Sequence, residues 1–232
     1  EVIYVKKNLP EVLEKKLKAK EKDIVFVGSA TDPYQPIEEG EEVSRRCLEL
    51  LVKHKWPLQV GTKSMLILRD LDLLQEASKV YCIMFVTITT LDDELSRWLE
   101  PRVSRPDERL SLIEELSSSG VDVCVSVIPV FPYLTDTTDS LSEVLENAKS
   151  SGAKYALVGE LMLPGEVRDR FYAALEERFP ELLPKYEAIY GRSGYAKGWY
   201  RASLEKKAKV LCKKCDLSSE IPAWKKGLER WL

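Results

Sequence analysis

Apolar residues in this chain fall into short, nearly continuous runs, separated by longer stretches in which apolar positions recur at helical spacing. The runs predict strands over residues 2–5, 24–28, 58–61, 80–88, 121–128 and 155–161. Several are made almost wholly of Val, Ile, Leu, Phe, Tyr and Cys, the pattern of parallel strands buried on both faces. Between them the spacing predicts helices near 10–20, 41–53, 71–78, 106–118 and 140–150. The fourth has Pro106 in its first turn and Gly120 just past its end, the usual start and stop asymmetry. Strands alternating with helices imply a parallel sheet, open or curled toward a barrel. After Leu163 the pattern changes, and residues 164–232 read as helices broken at Pro180, Pro184, Gly191, Gly194 and Gly198. The expected organisation is an α/β domain over 1–163 with a helical C-terminal extension over 164–232 packed on it.

Composition narrows this little. At 232 residues, 44% apolar and 31% charged, the chain has the make-up of a globular protein with a sizeable core. No stretch approaches the roughly 20 apolar residues of a membrane span, and no signal peptide is visible. A formal net charge of −3 argues against a uniformly positive surface and leaves room for a local basic patch. Five scattered cysteines, an odd number, do not read as a disulfide framework, so the cytoplasm is the expected location.

Ligands of parallel α/β folds bind at the carboxyl ends of the strands. Here those ends read GSATD (28–32), GTKS (61–64), TITT (87–90), IPVFP (128–132) and GELMLP (159–164). Gly, Ser and Thr allow close backbone approach and supply hydroxyls, and Lys63 adds a point charge for a carboxylate or phosphate. Turn chemistry alone explains any one such loop. Three consecutive hydroxyl-rich ends point to a site, one suited to a ligand with a carboxylate, hydroxyl groups and a flat ring.

Four segments carry a family resemblance: GSATDPYQPIE (28–38), GTKSMLILRDLDLL (61–74), EPRVSRPDERLSLIEELSSSGVDVCVSVIPVFP (100–132) and LMLPGEVRDRFYAALEERFP (161–180). In sequence and order they resemble the spore photoproduct lyase-like branch of the radical S-adenosylmethionine enzymes. The resemblance implies an open, partial (β/α)6 TIM-like barrel and reductive cleavage of S-adenosylmethionine to a 5′-deoxyadenosyl radical. It further implies a 4Fe–4S cluster held by a CxxxCxxC loop after the first strand, and an electron donor such as a flavodoxin or ferredoxin. The chain contains no CxxxCxxC, and its first cysteine, Cys47, lies in a helical pattern. The first barrel strand and the cluster loop are therefore expected before Glu1. Without them the chain cannot ligate the cluster in the family manner, and the alternative is a non-catalytic nucleotide- or nucleic-acid-binding module.

For the cofactor pocket the resemblance implies roles loop by loop. Gly28, Ser29, Ala30 and Thr31 would meet the methionine amino end, and Thr62, Lys63 and Ser64 would follow, with Lys63 pairing with the carboxylate. Thr87 and Thr89 would reach the ribose or carboxylate, and Ile128 and Pro129 would lie against adenine. Asp32, Tyr34, Glu100, Arg105 and Arg109 are expected behind the cofactor or on the substrate side, although a helix starting near Pro106 equally well exposes Arg109. Ser29 occupies the position at which true spore photoproduct lyases carry a hydrogen-donating cysteine. An O–H bond is too strong for that step, which implies a substrate other than the thymine dimer.

Two further features stand apart. Cys212 and Cys215 form a lone CxxC, open to three readings: ordinary thiols, a redox pair, or ligands to an auxiliary metal. Residues 191–214 interleave Arg192, Lys197, Arg201, Lys206, Lys207, Lys209, Lys213 and Lys214 with Tyr195, Trp199 and Tyr200. That mixture suits either a nucleic-acid surface or an amphipathic helix whose aromatics pack on the barrel.

Overall fold

A computed structural model describes residues 3–224. Within them the chain runs α1 (Leu9–Ala19), β1 (Val25–Val27), α2 (Glu38–Glu41), α3 (Val43–Lys53), β2 (Leu58–Thr62) and a 3₁₀ turn (Met65–Asp70). Next come α4 (Leu71–Ser78), β3 (Cys82–Thr87), α5 (Asp93–Leu99), α6 (Pro106–Ser118), β4 (Asp122–Val130), α7 (Thr138–Ser150) and β5 (Tyr155–Glu160). The remainder is helical: α8 (Glu166–Arg178), a short 3₁₀ turn (Pro180–Leu182), α9 (Leu183–Tyr190) and α10 (Gly198–Lys214). The five strands form one wholly parallel sheet in sequential order.

Strand alternation sorts side chains onto two faces. Leu58, Val60, Met84, Val86, Val123, Val125 and Val127 point to one side and join the core beneath the helices. The opposite, concave side carries Ile83, Phe85 and Cys124, a smaller cluster with Tyr81, Tyr155, Leu157 and Ile221 against it. Helix α6 shows why the helices dock: Leu112, Ile113 and Leu116 are fully buried, on a helix opened by Pro106 and closed before Gly120. Truncating one of these to alanine typically costs 2–5 kcal/mol.

Three expectations need correction. Residues 3–6 form no strand, so the strand expected over 2–5 is absent from the described part of the chain. Its apolar side chains Ile3 and Tyr4 are exposed, and without a neighbour to pair with, alternation alone does not make a strand. The helix expected over 41–53 is broken at Glu42, which adopts φ +50°, so α2 and α3 are separate. Helix α5 was not expected at all: it is seven residues long and is announced only by the Asp92 cap on Leu95. The described residues thus supply five strand–helix units of the six the barrel expectation contains.

The helices after β5 are tied to the sheet at several points. Tyr200 of α10 donates to Asp136 at 2.9 Å, and Lys207 reaches the Asp136 carbonyl. The chain after α10 forms a parallel bridge between Ser218 and Tyr155 at the edge of β5. Phe171 and Phe179 flank Trp98 of α5, and Phe171 also stacks on Phe131, so α8 is anchored by aromatic contacts.

Candidate functional site

The concave face ends, at the carboxyl ends of the strands, in an open cavity of about 610 Å³. Its floor comes from inward-pointing strand positions. Phe26 and Phe85 pack at 5.4 Å between ring centroids, and Gly61 and Ser126 leave space between the larger side chains. A β-carbon at Gly61 would stand 3.2 Å from the Phe26 ring. Ile128 and Leu157 form an apolar wall, while residues 28–32 with Lys63 and Thr87 form the polar one.

Two glycines and one aspartate shape that polar wall. Gly28 adopts φ +103°, and a β-carbon there would lie 2.4 Å from the Gly61 carbonyl oxygen, so the ends of β1 and β2 approach closely. Asp32 then joins the loop to β2. Its carboxylate accepts from the Thr62 hydroxyl at 2.8 Å, the Lys63 amide at 2.7 Å and the Tyr34 amide at 2.9 Å. These bonds fix the loop so that Ser29, Ala30 and Thr31 present themselves to the cavity.

Behind Lys63 lies a charged chain. The Lys63 ammonium pairs with Glu100 at 2.5 Å, and the other Glu100 oxygen accepts from Arg109 at 2.8 Å. Arg109 is only 1% exposed, and it also donates to the carbonyls of Ser104 at 2.7 Å and Thr87 at 2.9 Å. Burial pushes the Glu100 carboxyl up, but Lys63 and Arg109 more than offset it and hold the group below the usual carboxylate range.

Of the residues singled out in the sequence, Gly28, Ser29, Ala30, Thr31, Asp32, Thr62, Lys63, Thr87 and Ile128 line the cavity together. Others do not. Ser64 caps the 3₁₀ turn, accepting from the Leu66 amide at 3.3 Å. Thr89 is buried and turned to Glu100 at 3.4 Å, and Pro129, in a cis peptide with Ile128, is not among the lining residues. Tyr34 is buried with its hydroxyl on Asp70, and Arg105 is exposed and pairs with Asp93 at 2.6 Å. Arg109 is buried rather than displayed on α6. Cys212 and Cys215 are buried free thiols pushed up by that burial, and neither lines the cavity. The pattern reading placed Gly61 at a ligand-facing strand end but missed Phe26, Phe85, Ser126 and Leu157, whose signal was their place on the inward half of each strand's alternation.

The sequence profile of the radical SAM superfamily matches residues 3–141. An uncharacterized protein of Mycobacterium tuberculosis is 33% identical over 221 residues, 94% of this chain and 65% of that protein. One of Methanocaldococcus jannaschii is 29% identical over 142 residues, 61% of this chain and 52% of the relative. The chain therefore spans about 65% of the length of the first curated relatives it matches. Among solved structures, a cysteine-to-serine mutant of spore photoproduct lyase superposes with TM-score 0.69 at 15% identity, covering 94% of this chain and 67% of the other. With three fifths of its length inside the family profile and the same partial-barrel fold as that lyase, this chain belongs to the radical SAM superfamily.

Proposed function

We propose that this chain forms the S-adenosylmethionine-binding part of a radical SAM enzyme, with the cofactor seated in the cavity at the strand ends. The observation that carries the reading is the cavity itself: one polar wall, one apolar wall, and two glycines where side chains would intrude. Its volume falls in the range of small-molecule sites. Lys63 would pair with the methionine carboxylate, Ser29 and Thr31 would serve the amino end, and Thr87 the ribose. Ile128 and Leu157 would lie against the adenine, over the Phe26 and Phe85 floor. When bound and reduced, S-adenosylmethionine supplies a carbon-centred radical for hydrogen abstraction. The residues at hand do not fit the iron–sulfur cluster. None of the five cysteines lines the cavity, and among the described residues no three His, Cys, Asp or Glu side chains are grouped to hold a metal. No step is derived through it.

Calorimetric titration with S-adenosylhomocysteine tests the pocket. Saturable one-to-one binding is expected, weakened at least ~10-fold by Ser126→Phe, which fills the floor and removes more than about 1.4 kcal/mol of contact. Absence of saturable binding by the native chain, or a Ser126→Phe variant that binds equally well, overturns the reading.

For the substrate we favour a nucleic acid. Tyr195 and Trp199 are 55% and 58% exposed, beside Arg192, Lys197 and Arg201, while Tyr200 is the aromatic that packs inward. Stacking of a base on an exposed ring is worth roughly 1–3 kcal/mol. Trp199→Ala should therefore weaken binding of a fluorescent single-stranded oligonucleotide roughly 5- to 100-fold by anisotropy. An unchanged affinity removes this substrate class.

A further inference from the structure

We infer that Glu100, locked in place by the buried Arg109, is a positioning residue that holds the Lys63 ammonium at the cavity wall and so selects ligands carrying a carboxylate. The inference rests on reading the cavity as an S-adenosylmethionine site. It goes further by assigning a task to two residues that do not line the cavity.

The starting point is Arg109. Its guanidinium is held by carbonyl oxygens from two different places, Ser104 before α6 and Thr87 at the end of β3, as well as by Glu100. A planar donor fork fixed on three sides has one orientation, and the Glu100 oxygen that meets it is therefore fixed too. The Thr89 hydroxyl, at 3.4 Å, bears on the same oxygen. Only the second oxygen of Glu100 faces outward, and it meets Lys63 at 2.5 Å. The chain of contacts thus runs from the end of β3 to the side chain at the end of β2.

The consequence lies in how lysine binds anions. A lysine on a flexible four-carbon stem loses rotamer freedom when it grips a partner. Paired with Glu100, Lys63 has lost much of that freedom before any ligand arrives, which is preorganisation in the ordinary sense. An ammonium has three donors. Glu100 takes one, and with the side chain still 28% exposed, the others remain for the cavity that Lys63 lines. Purely structural pairing would need no such outlet: Glu100 and Arg109 already neutralise each other.

The test compares two ligands on the full chain: S-adenosylhomocysteine and its decarboxylated analogue, which keeps the amine. The native chain is expected to favour the first by at least ~10-fold, the worth of one charge-assisted hydrogen bond. Glu100→Gln should cut that preference to roughly 3-fold or less by weakening S-adenosylhomocysteine alone. Lys63→Met should abolish the preference, and adding Glu100→Gln to Lys63→Met should change nothing further, the signature of one residue acting through the other. Should Glu100→Gln not fold, Glu100→Asp takes its place, keeping the charge on a side chain one methylene shorter, with a partial loss of preference expected. Equal weakening of both ligands, an unchanged preference in the Glu100 variant, or additive effects in the double variant each overturn the assignment. A native chain that binds neither ligand overturns the cofactor reading itself, an outcome plainly different from the others.

Discussion

Replacing Asp70 with alanine is expected to lower the unfolding free energy by about 3–5 kcal/mol, the range for removing one partner of a buried ionic network. Asp70 has no exposed surface, and its carboxylate accepts from Arg45 at 2.9 Å, from Arg69 at 2.8 and 2.9 Å, and from the Tyr34 hydroxyl at 2.9 Å. Arg69 continues to Glu38 at 3.1 Å, and Glu38 accepts from the Ser44 amide at 2.9 Å at the start of α3. One carboxylate therefore joins the loop after β1, the helix α3 and the 3₁₀ turn after β2. Without it, two guanidinium groups and a buried phenol are left to share what remains. Tyr34→Phe, which deletes one neutral donor, should cost only about 1 kcal/mol. Burial acts to raise the Asp70 carboxyl, but Arg69, Arg45 and Tyr34 bring it below the usual value of 3.8. The contribution of Asp70 is thus present in full above about pH 4 and is lost as the pH falls through the lowered folded value. Urea unfolding of the native chain and of Asp70→Ala at pH 7, repeated near pH 3, reads both effects. A difference under ~1 kcal/mol at pH 7 would sink the argument.

The same network shows where reading the sequence succeeded and where it ended. Continuous apolar runs located all five strands to within two residues, because their residues are mostly apolar on both halves of the alternation, most completely in β3 and β4, which are buried on both faces for most of their length. Pro106 and Gly120 delimited α6 for an equally local reason. Tyr34 and Arg109 were different. Both were expected behind the cofactor or on the substrate side, with exposure an equal alternative for Arg109, and each is buried on a carboxylate that lies 36 or 9 residues away. Which acid meets which base depends on how strands and helices come together, and no spacing rule carries that. Ser64 and Thr89 illustrate a related limit. Both sit in hydroxyl-rich stretches two residues beyond the last residue of β2 or β3, where the chain has left the sheet and strand alternation no longer orients them, so one caps a turn and the other turns to Glu100. The cavity floor of Phe26, Phe85, Gly61 and Ser126 was legible in principle from that alternation, as the half of each strand that mixes aromatic and small residues.

Gly28→Ala carries the second large effect, because one β-carbon there disturbs both the fold and the site. The residue adopts φ +103°, which L side chains rarely tolerate, at a cost of about 1–3 kcal/mol. The added carbon would also lie 2.4 Å from the Gly61 carbonyl oxygen and 3.1 Å from the Pro33 ring. Backbone on one side and a ring on the other cannot both yield, so β1 must move from β2, adding roughly 1–3 kcal/mol of overpacking. A total loss of about 3 kcal/mol is expected in urea unfolding. Since Ser29 and Thr31 follow directly, the displaced loop should also weaken S-adenosylhomocysteine by at least ~10-fold, the equivalent of about 1.4 kcal/mol. Gly120→Ala is the matched control. It has φ +83° but nothing within 4 Å of the new carbon, so it incurs the backbone strain alone. It should cost about 1 kcal/mol and leave the ligand's affinity unchanged. If the two variants lose stability and affinity alike, the close approach of β1 to β2 does not shape the cavity. If only Gly28→Ala loses affinity, then the contact between these two strand ends sets the polar wall against which Lys63 works.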